Sequence, residues 1–259
     1  MIKRKHRLEE HIQIYKGKLN NNELGTPKTI LDHLKDLRKM LLIISISIGV
    51  AFNIILIFFV TYIMDFIVKP LKDMHIEIIY TGLSESFTSQ VKVSLIAGVI
   101  VVSPIIFWQV WSFLKPALYR KERLIFGSLF ILGIFLFILG VVFAYIVVLN
   151  LSINFFVYTS GNSATPMISI SKYVDFLFSF LLPFGITFEL PIAIIILTRL
   201  GIITANELSK YRKYVIFAIF IIAAILTPPD VVSQISMAIP IIILYEISIL
   251  ACKLVKKRA

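Results

Sequence analysis

The chain has a single cysteine, Cys252, and only four histidines, His6, His11, His33 and His75, scattered along its 259 residues. That excludes a disulfide framework, a CxxC redox pair and a cysteine zinc site within one chain. GxxxxGK[ST], HExxH, GxSxG and a glycine-rich dinucleotide loop are all missing, so the sequence gives nucleotide, zinc-peptidase and serine-hydrolase chemistry no footing. Ser112-x-x-Lys115 and Ser169-x-x-Lys172 match S-x-x-K without any supporting motif. Acidic residues are scarce, 15 against 26 Lys and Arg, for a net charge of +11. Such an excess raises nucleic acid as a partner. Its distribution argues against one, because the basic residues lie between apolar runs. No secretory signal is expected here either: the apolar stretch that should follow Lys3-Arg4-Lys5 is interrupted by Glu9, Glu10 and His11.

What the chain does have is apolar length. Hydrophobic residues make up 58% of it, and the mean hydropathy is +0.92. Six runs approach the ~20 residues that cross a ~30 Å hydrocarbon core as a helix. They are Met40–Met64, Val93–Phe113 with Pro104 as an expected kink, Leu124–Leu149, Tyr173–Thr198, Tyr214–Leu226 and Val231–Leu250. The fifth has 13 apolar residues, about 20 Å at 1.5 Å per residue. It must borrow its amphipathic lead-in or sit in a thinned bilayer. The last two runs flank Thr227-Pro228-Pro229-Asp230 and read as a short hairpin. The fold class expected is an all-α integral membrane protein of six helices. Residues 29–252 form its membrane domain, after a basic extension (1–28) and before a basic tail (253–259). Twenty-two of the Lys and Arg residues fall on one side of this arrangement, and only Lys69, Lys72, Lys92 and Lys172 on the other. The positive-inside rule then puts both termini in the cytoplasm.

A few polar residues stand out. Glu189 lies inside the fourth run, in Phe184-Gly185-Ile186-Thr187-Phe188-Glu189-Leu190-Pro191. An ionised group at the centre of a spanning helix costs at least about 2.5–3.5 kcal/mol, so it is expected to face protein or water for a functional reason. Before the first run, Thr29-Ile30-Leu31-Asp32 resembles a capping box, and Leu31, Leu34 and Leu41 recur at helical spacing. This is a short interfacial helix. Asp36 on it is either an ordinary surface charge or half of a site for a cationic peptide. Glu122 is the one acid in a cation-rich connection that follows both tryptophans, Trp108 and Trp111. It either pairs with Arg120 or Arg123, or joins Asp36 as a second acceptor for adjacent arginines, whose guanidinium groups bind carboxylates in a fork that lysine cannot reproduce. The long 65–90 connection, with Ile76-Glu77-Ile78-Ile79-Tyr80 at its centre, is expected to cover something. Thr204-Ala205-Asn206-Glu207 is a capping box. Structural roles are expected for Pro70, for Pro116, for Asp230 at the hairpin turn, and for Glu246, which snorkels to the interface or pairs with a basic residue.

In chain order, His33-Leu34-Lys35-Asp36-Leu37-Arg38, then Trp111-Ser112-Phe113-Leu114-Lys115-Pro116-Ala117-Leu118-Tyr119 with Glu122-Arg123, the Glu189 segment, Ala224 to Asp230, and Leu244-Tyr245-Glu246 together resemble the TatC family. That family supplies the multispanning subunit of the twin-arginine protein translocase. The resemblance implies six helices in a concave, glove-like wall in the cytoplasmic membrane, without a cofactor or nucleotide hydrolysis, drawing on the proton-motive force. It further implies that Glu122 and Asp36 bind the twin arginines of a signal peptide, with Phe113, Arg38 and Leu34 alongside. Glu189, together with Gln234, would meet a single-span TatA- or TatB-type partner helix inside the bilayer, and copies of the chain would self-associate. One departure is that Asp36 stands where the family usually has glutamate. The main rival is a proton-coupled secondary transporter, which would also use an intramembrane acid. Against it, the two halves of the sequence show no similarity. An intramembrane enzyme is the weaker rival, for want of a nucleophile and base.

Overall fold

The computed structural model describes residues 30–114, 123–160, 167–199, 201–226 and 231–254. In chain order, helix α1 (Ile30–Ile54) passes through a π-helical turn (Ile55–Phe59) into α2 (Val60–Asp73). Strand β1 (Glu77–Ile79) and helix α3 (Glu85–Leu114) follow. Helix α4 (Arg123–Phe143) continues through a second π-helical turn (Ala144–Leu149) into α5 (Asn150–Ser160). Strand β2 (Met167–Ser169), α6 (Ile170–Thr187), α7 (Leu190–Arg199), α8 (Ala205–Leu226) and α9 (Val231–Leu254) complete the chain. Five stretches among the described residues are long and apolar enough to cross a membrane: Leu34–Asp73, Glu85–Phe113, Gly127–Val157, Ile170–Arg199 and Val231–Lys253. The fifth run of the sequence belongs to α8, whose 22 residues include Glu207, Lys210, Arg212 and Lys213 in the first half.

The helices overrun the apolar segments read from the sequence. The expected 65–90 connection shrinks to residues 74–84, because α2 runs on to Asp73 and α3 already starts at Glu85. Charged residues interrupt the hydropathy there but not the helix. Asp65 and Lys72, both exposed, join in an ion pair at 3.1 Å along α2. Pro104 lies within a helix that continues to Leu114. The all-α expectation also needs a small amendment. β1 and β2 pair in parallel, with Glu77 opposite Met167 and Ile79 opposite Ser169, so the centre of the first connection is tied to the start of α6. Between α2 and β1, His75 takes a left-handed φ of 58°. The His75 N–H donates to the Lys72 carbonyl at 3.0 Å and the Ile76 N–H to that of Leu71 at 3.1 Å. This is a Schellman closure with histidine where glycine is usual, and Ile76 and Leu71 are both buried beside it.

Glu85 organises this end of the molecule. Its Oε2 accepts from the Thr81 amide, from the Thr81 hydroxyl at 2.7 Å and from the Gly82 amide at 3.1 Å. Its Oε1 accepts from the Ser169 hydroxyl and from the Ser171 amide at 3.0 Å. One carboxylate therefore caps the approach to α3 and fastens β2 and α6 to it. Lys92 and Asp175 add a second α3–α6 link at 2.5 Å. Glu85→Ala is expected to quicken hydrogen exchange at the Thr81, Gly82 and Ser171 amides, leaving amides in the middle of α6 unchanged. Unchanged exchange at all three would show that the carboxylate is not what holds this cap.

The chain divides into two compact units at Leu42–Ile43, and the packing described next is that of the second. Its core gathers Leu71 from α2, Leu149 from the second π turn, Val174, Leu177, Phe180 and Phe184 from α6, and Met237 from α9, all essentially inaccessible. Three polar side chains along the spans bond their own helix: Ser47 to the Ile43 carbonyl, Asn150 to Ile146 and Ser248 to Leu244, at 2.6–2.8 Å. In hydrocarbon a polar group must find a partner inside the protein. Pro70 follows the same rule. Lacking an N–H, it cannot donate to the Phe66 carbonyl four residues back, and the Tyr145 hydroxyl donates there instead at 2.8 Å. The Tyr173 hydroxyl donates to the neighbouring Ile67 carbonyl at 2.5 Å. The structural role of Pro70 is thus to open a carbonyl that ties α2 to the π turn after α4.

Candidate functional site

Helix α6 ends at Thr187, four residues before Pro191. A proline at 191 has no N–H for the Thr187 carbonyl, yet it is well tolerated in the first turn of a new helix. The break is closed by Phe188 N–H to Phe184 O at 2.9 Å and Glu189 N–H to Ile186 O at 3.1 Å, and α7 opens with Ala193 N–H to Glu189 O at 2.9 Å. Glu189 therefore occupies the junction of two half-helices, immediately before α7, where the helix dipole favours negative charge.

The carboxylate packs against α4. A methyl group at Gly133 would lie 3.0 Å from Glu189 Oε2, so this oxygen rests almost on the α4 backbone. Glu189 Oε1 is buried and accepts no hydrogen bond from the described residues. Two further glycines bring the helices this close. A methyl group at Gly140 would fall 2.7 Å from the Phe184 carbonyl oxygen, and one at Gly185 would fall 2.7 Å from the Phe137 ring. Small residues at such contacts are how membrane helices approach closely. Phe107 of α3 packs edge-on to Phe130 at 6.4 Å and to Phe137 at 5.7 Å. A buried acceptor without a donor forfeits about 1–3 kcal/mol, which a donor arriving from outside would restore. The arrangement suits reversible capture of a polar side chain within the membrane. No metal-holding group of His, Cys, Asp and Glu occurs among the described residues.

Gln234 and Glu246, also singled out from the sequence, make contacts of their own. Gln234 of α9 donates to the Phe220 carbonyl of α8 at 3.1 Å, an anchor within the α8–α9 hairpin. Glu246 pairs with Arg212 at 2.8 Å, and the Tyr245 hydroxyl donates to the Leu208 carbonyl at 2.9 Å, so three links bind that hairpin. At the start of α8, Thr204 and Glu207 exchange hydrogen bonds, Thr204 N–H to Glu207 Oε2 at 2.7 Å and Glu207 N–H to Thr204 Oγ1 at 3.3 Å. Leu34, Asp36 and Arg38 share the first turns of α1, with Leu34 and Arg38 exposed and Asp36 half-buried. Phe113 is half-buried near the end of α3. Glu122, Pro116, Asp230, the 1–28 extension and most of the 253–259 tail lie outside the described residues. Sequence reasoning missed Gly133, Gly140, Gly185, Glu85 and the tyrosine pair. The glycine spacing, Gly133 and Gly140 seven apart on one helix face, was the available signal.

The family model for TatC, Sec-independent protein translocase protein, matches residues 32–240. A TatC protein of Carboxydothermus hydrogenoformans is 40% identical over 233 residues, covering 90% of this chain and 96% of its own. TatC of Aquifex aeolicus is 37% identical, covering 88% of this chain and 96% of its own. A crystal structure described as the twin arginine translocase receptor TatC superposes with a TM-score of 0.79 at 38% identity, covering 86% of this chain and 98% of that one. With that agreement in both sequence and backbone, the chain belongs to the TatC family of Sec-independent protein translocase proteins.

Proposed function

We propose that this protein is the signal-peptide receptor and core subunit of a twin-arginine translocase, exporting folded proteins across the cytoplasmic membrane with the proton-motive force. The observation that carries this reading is the match to a twin-arginine receptor along nearly its whole length. In this reading α8 is the fifth of six spanning helices and both termini are cytoplasmic, as the one-sided distribution of Lys and Arg and an even span count support. Asp36 and Glu122 at the cytoplasmic face take the two arginines of the signal peptide, with Phe113, Arg38 and Leu34 beside them. Glu189 meets the membrane helix of a single-span TatA- or TatB-type subunit, with Gln234 contributing. Self-association completes the receptor complex.

A transporter reading gains nothing specific from the geometry. Its acid would need a water path, whereas Glu189 lies against a helix backbone at a glycine. The deciding experiment is photocrosslinking of the protein in membranes to a twin-arginine signal peptide and to its twin-lysine version. The receptor reading expects strong labelling by the first and at least about tenfold less by the second, since lysine cannot form the bidentate pair. Equal labelling by the two peptides would remove the basis for the assignment.

A further inference from the structure

The acid at the half-helix junction has one oxygen against Gly133 and the other buried without a donor among the described residues. We propose that Gly133 is the positioning residue of Glu189: its missing side chain lets Oε2 settle on the α4 backbone, which turns Oε1 toward an incoming partner group that can donate a hydrogen bond. This rests on the partner-helix reading of Glu189 given above.

Three observations support it. A methyl group at Gly133 would stand 3.0 Å from Oε2 and 3.7 Å from the carboxyl carbon Cδ, closer than a carboxylate comfortably packs on carbon. Ile192 Cδ1 would lie 3.6 Å from the same methyl, so α7 limits retreat on that side. Finally, Oε1 is buried with no donor among the described residues, so a rotation of the carboxyl group changes which oxygen is offered. Gly133 differs here from Gly140 and Gly185. Those two would meet a backbone carbonyl and an aromatic ring, which are packing contacts. Gly133 would meet the flexible end of the functional side chain itself, and the fold can accommodate alanine there by moving that end alone.

The test is Gly133→Ala in the full-length protein, co-expressed with its single-span partners. Alanine favours helix over glycine, so a merely structural role predicts unchanged or raised thermal stability and normal assembly. The positioning role predicts the same stability with about fivefold less partner recovered on co-purification, the low end of coupling between sites. It also predicts a shifted infrared carboxyl band of Glu189, the band being identified by its loss in Glu189→Gln. An unmoved band overturns the proposal, and so does a shifted band with full partner recovery. Glu189→Ala is run alongside and is expected to lose partner recovery while keeping signal-peptide binding. Full recovery by Glu189→Ala defeats the partner-helix reading, and this proposal with it. If Glu189→Ala loses partner recovery and Gly133→Ala does not, only the role of Gly133 is lost.

Discussion

Replacing Glu122 with alanine is expected to abolish export of twin-arginine substrates while the protein still inserts and accumulates. In the proposed receptor this carboxylate and Asp36 are the counter-charges offered to two guanidinium groups. Unit charges 4 Å apart near a protein surface attract by about 4 kcal/mol, and deleting one member of a hydrogen-bonded charge pair costs about 2–5 kcal/mol. At 1.4 kcal/mol per tenfold, the loss in peptide affinity is on the order of a hundredfold or more. Glu122→Gln keeps the shape and an acceptor but loses the charge, so it should fail almost as completely. Asp36→Ala is expected to be milder. Its carboxylate is one methylene shorter than the family's glutamate, and Asp36→Glu should match or strengthen peptide binding. Export assays on membranes with equal amounts of each variant decide the matter. Wild-type export by stably inserted Glu122→Ala would remove this residue from the receptor site.

How far the sequence could be read depended on the kind of signal. Apolar length marked where spanning helices lie, because hydrocarbon requires it. It misplaced their ends, because Asp65, Lys69 and Lys72 lower the hydropathy without breaking the backbone. The capping box at Thr204 and Glu207 was legible from four residues, since both halves of a reciprocal hydrogen bond are local. Glu85 was not, because its donors come from Thr81 and Gly82 nearby and from Ser169 and Ser171 more than eighty residues away. Pro70 could be noted from sequence, but its consequence could not. Which group would fill the vacated Phe66 carbonyl depends on Tyr145 arriving from another helix. Glu189 was conspicuous as a charge in an apolar run. The surface that receives it was hidden, because glycine leaves no pattern of its own until the facing helix is known.

The largest loss of stability is expected at Gly140. A β-carbon there would sit 2.7 Å from the Phe184 carbonyl oxygen and 2.9 and 3.0 Å from Phe188 Cγ and Cβ. The first obstacle is backbone and cannot rotate away, so α4 and α6 must separate to admit any side chain. Overpacking a close-fitted site costs about 1–3 kcal/mol, occasionally more. We expect about 2 kcal/mol for Gly140→Ala and the upper end or beyond for Gly140→Val. Separation would also spread outward: Phe143 packs on both Phe184 and Phe188, at 5.8 and 5.6 Å between ring centroids, and Phe188 directly precedes Glu189. The same variant should therefore disturb the intramembrane acid as well as the fold. Gly49 and Gly127 provide the controls, since a β-carbon at either meets nothing within 4 Å. Alanine there should be neutral or stabilising by up to about 1 kcal/mol, because glycine is the poorer helix former. Thermal unfolding of the four purified variants in one detergent separates the two cases. If Gly140→Val melts with Gly127→Ala, the α4–α6 contact at Gly140 is not too close to admit a side chain.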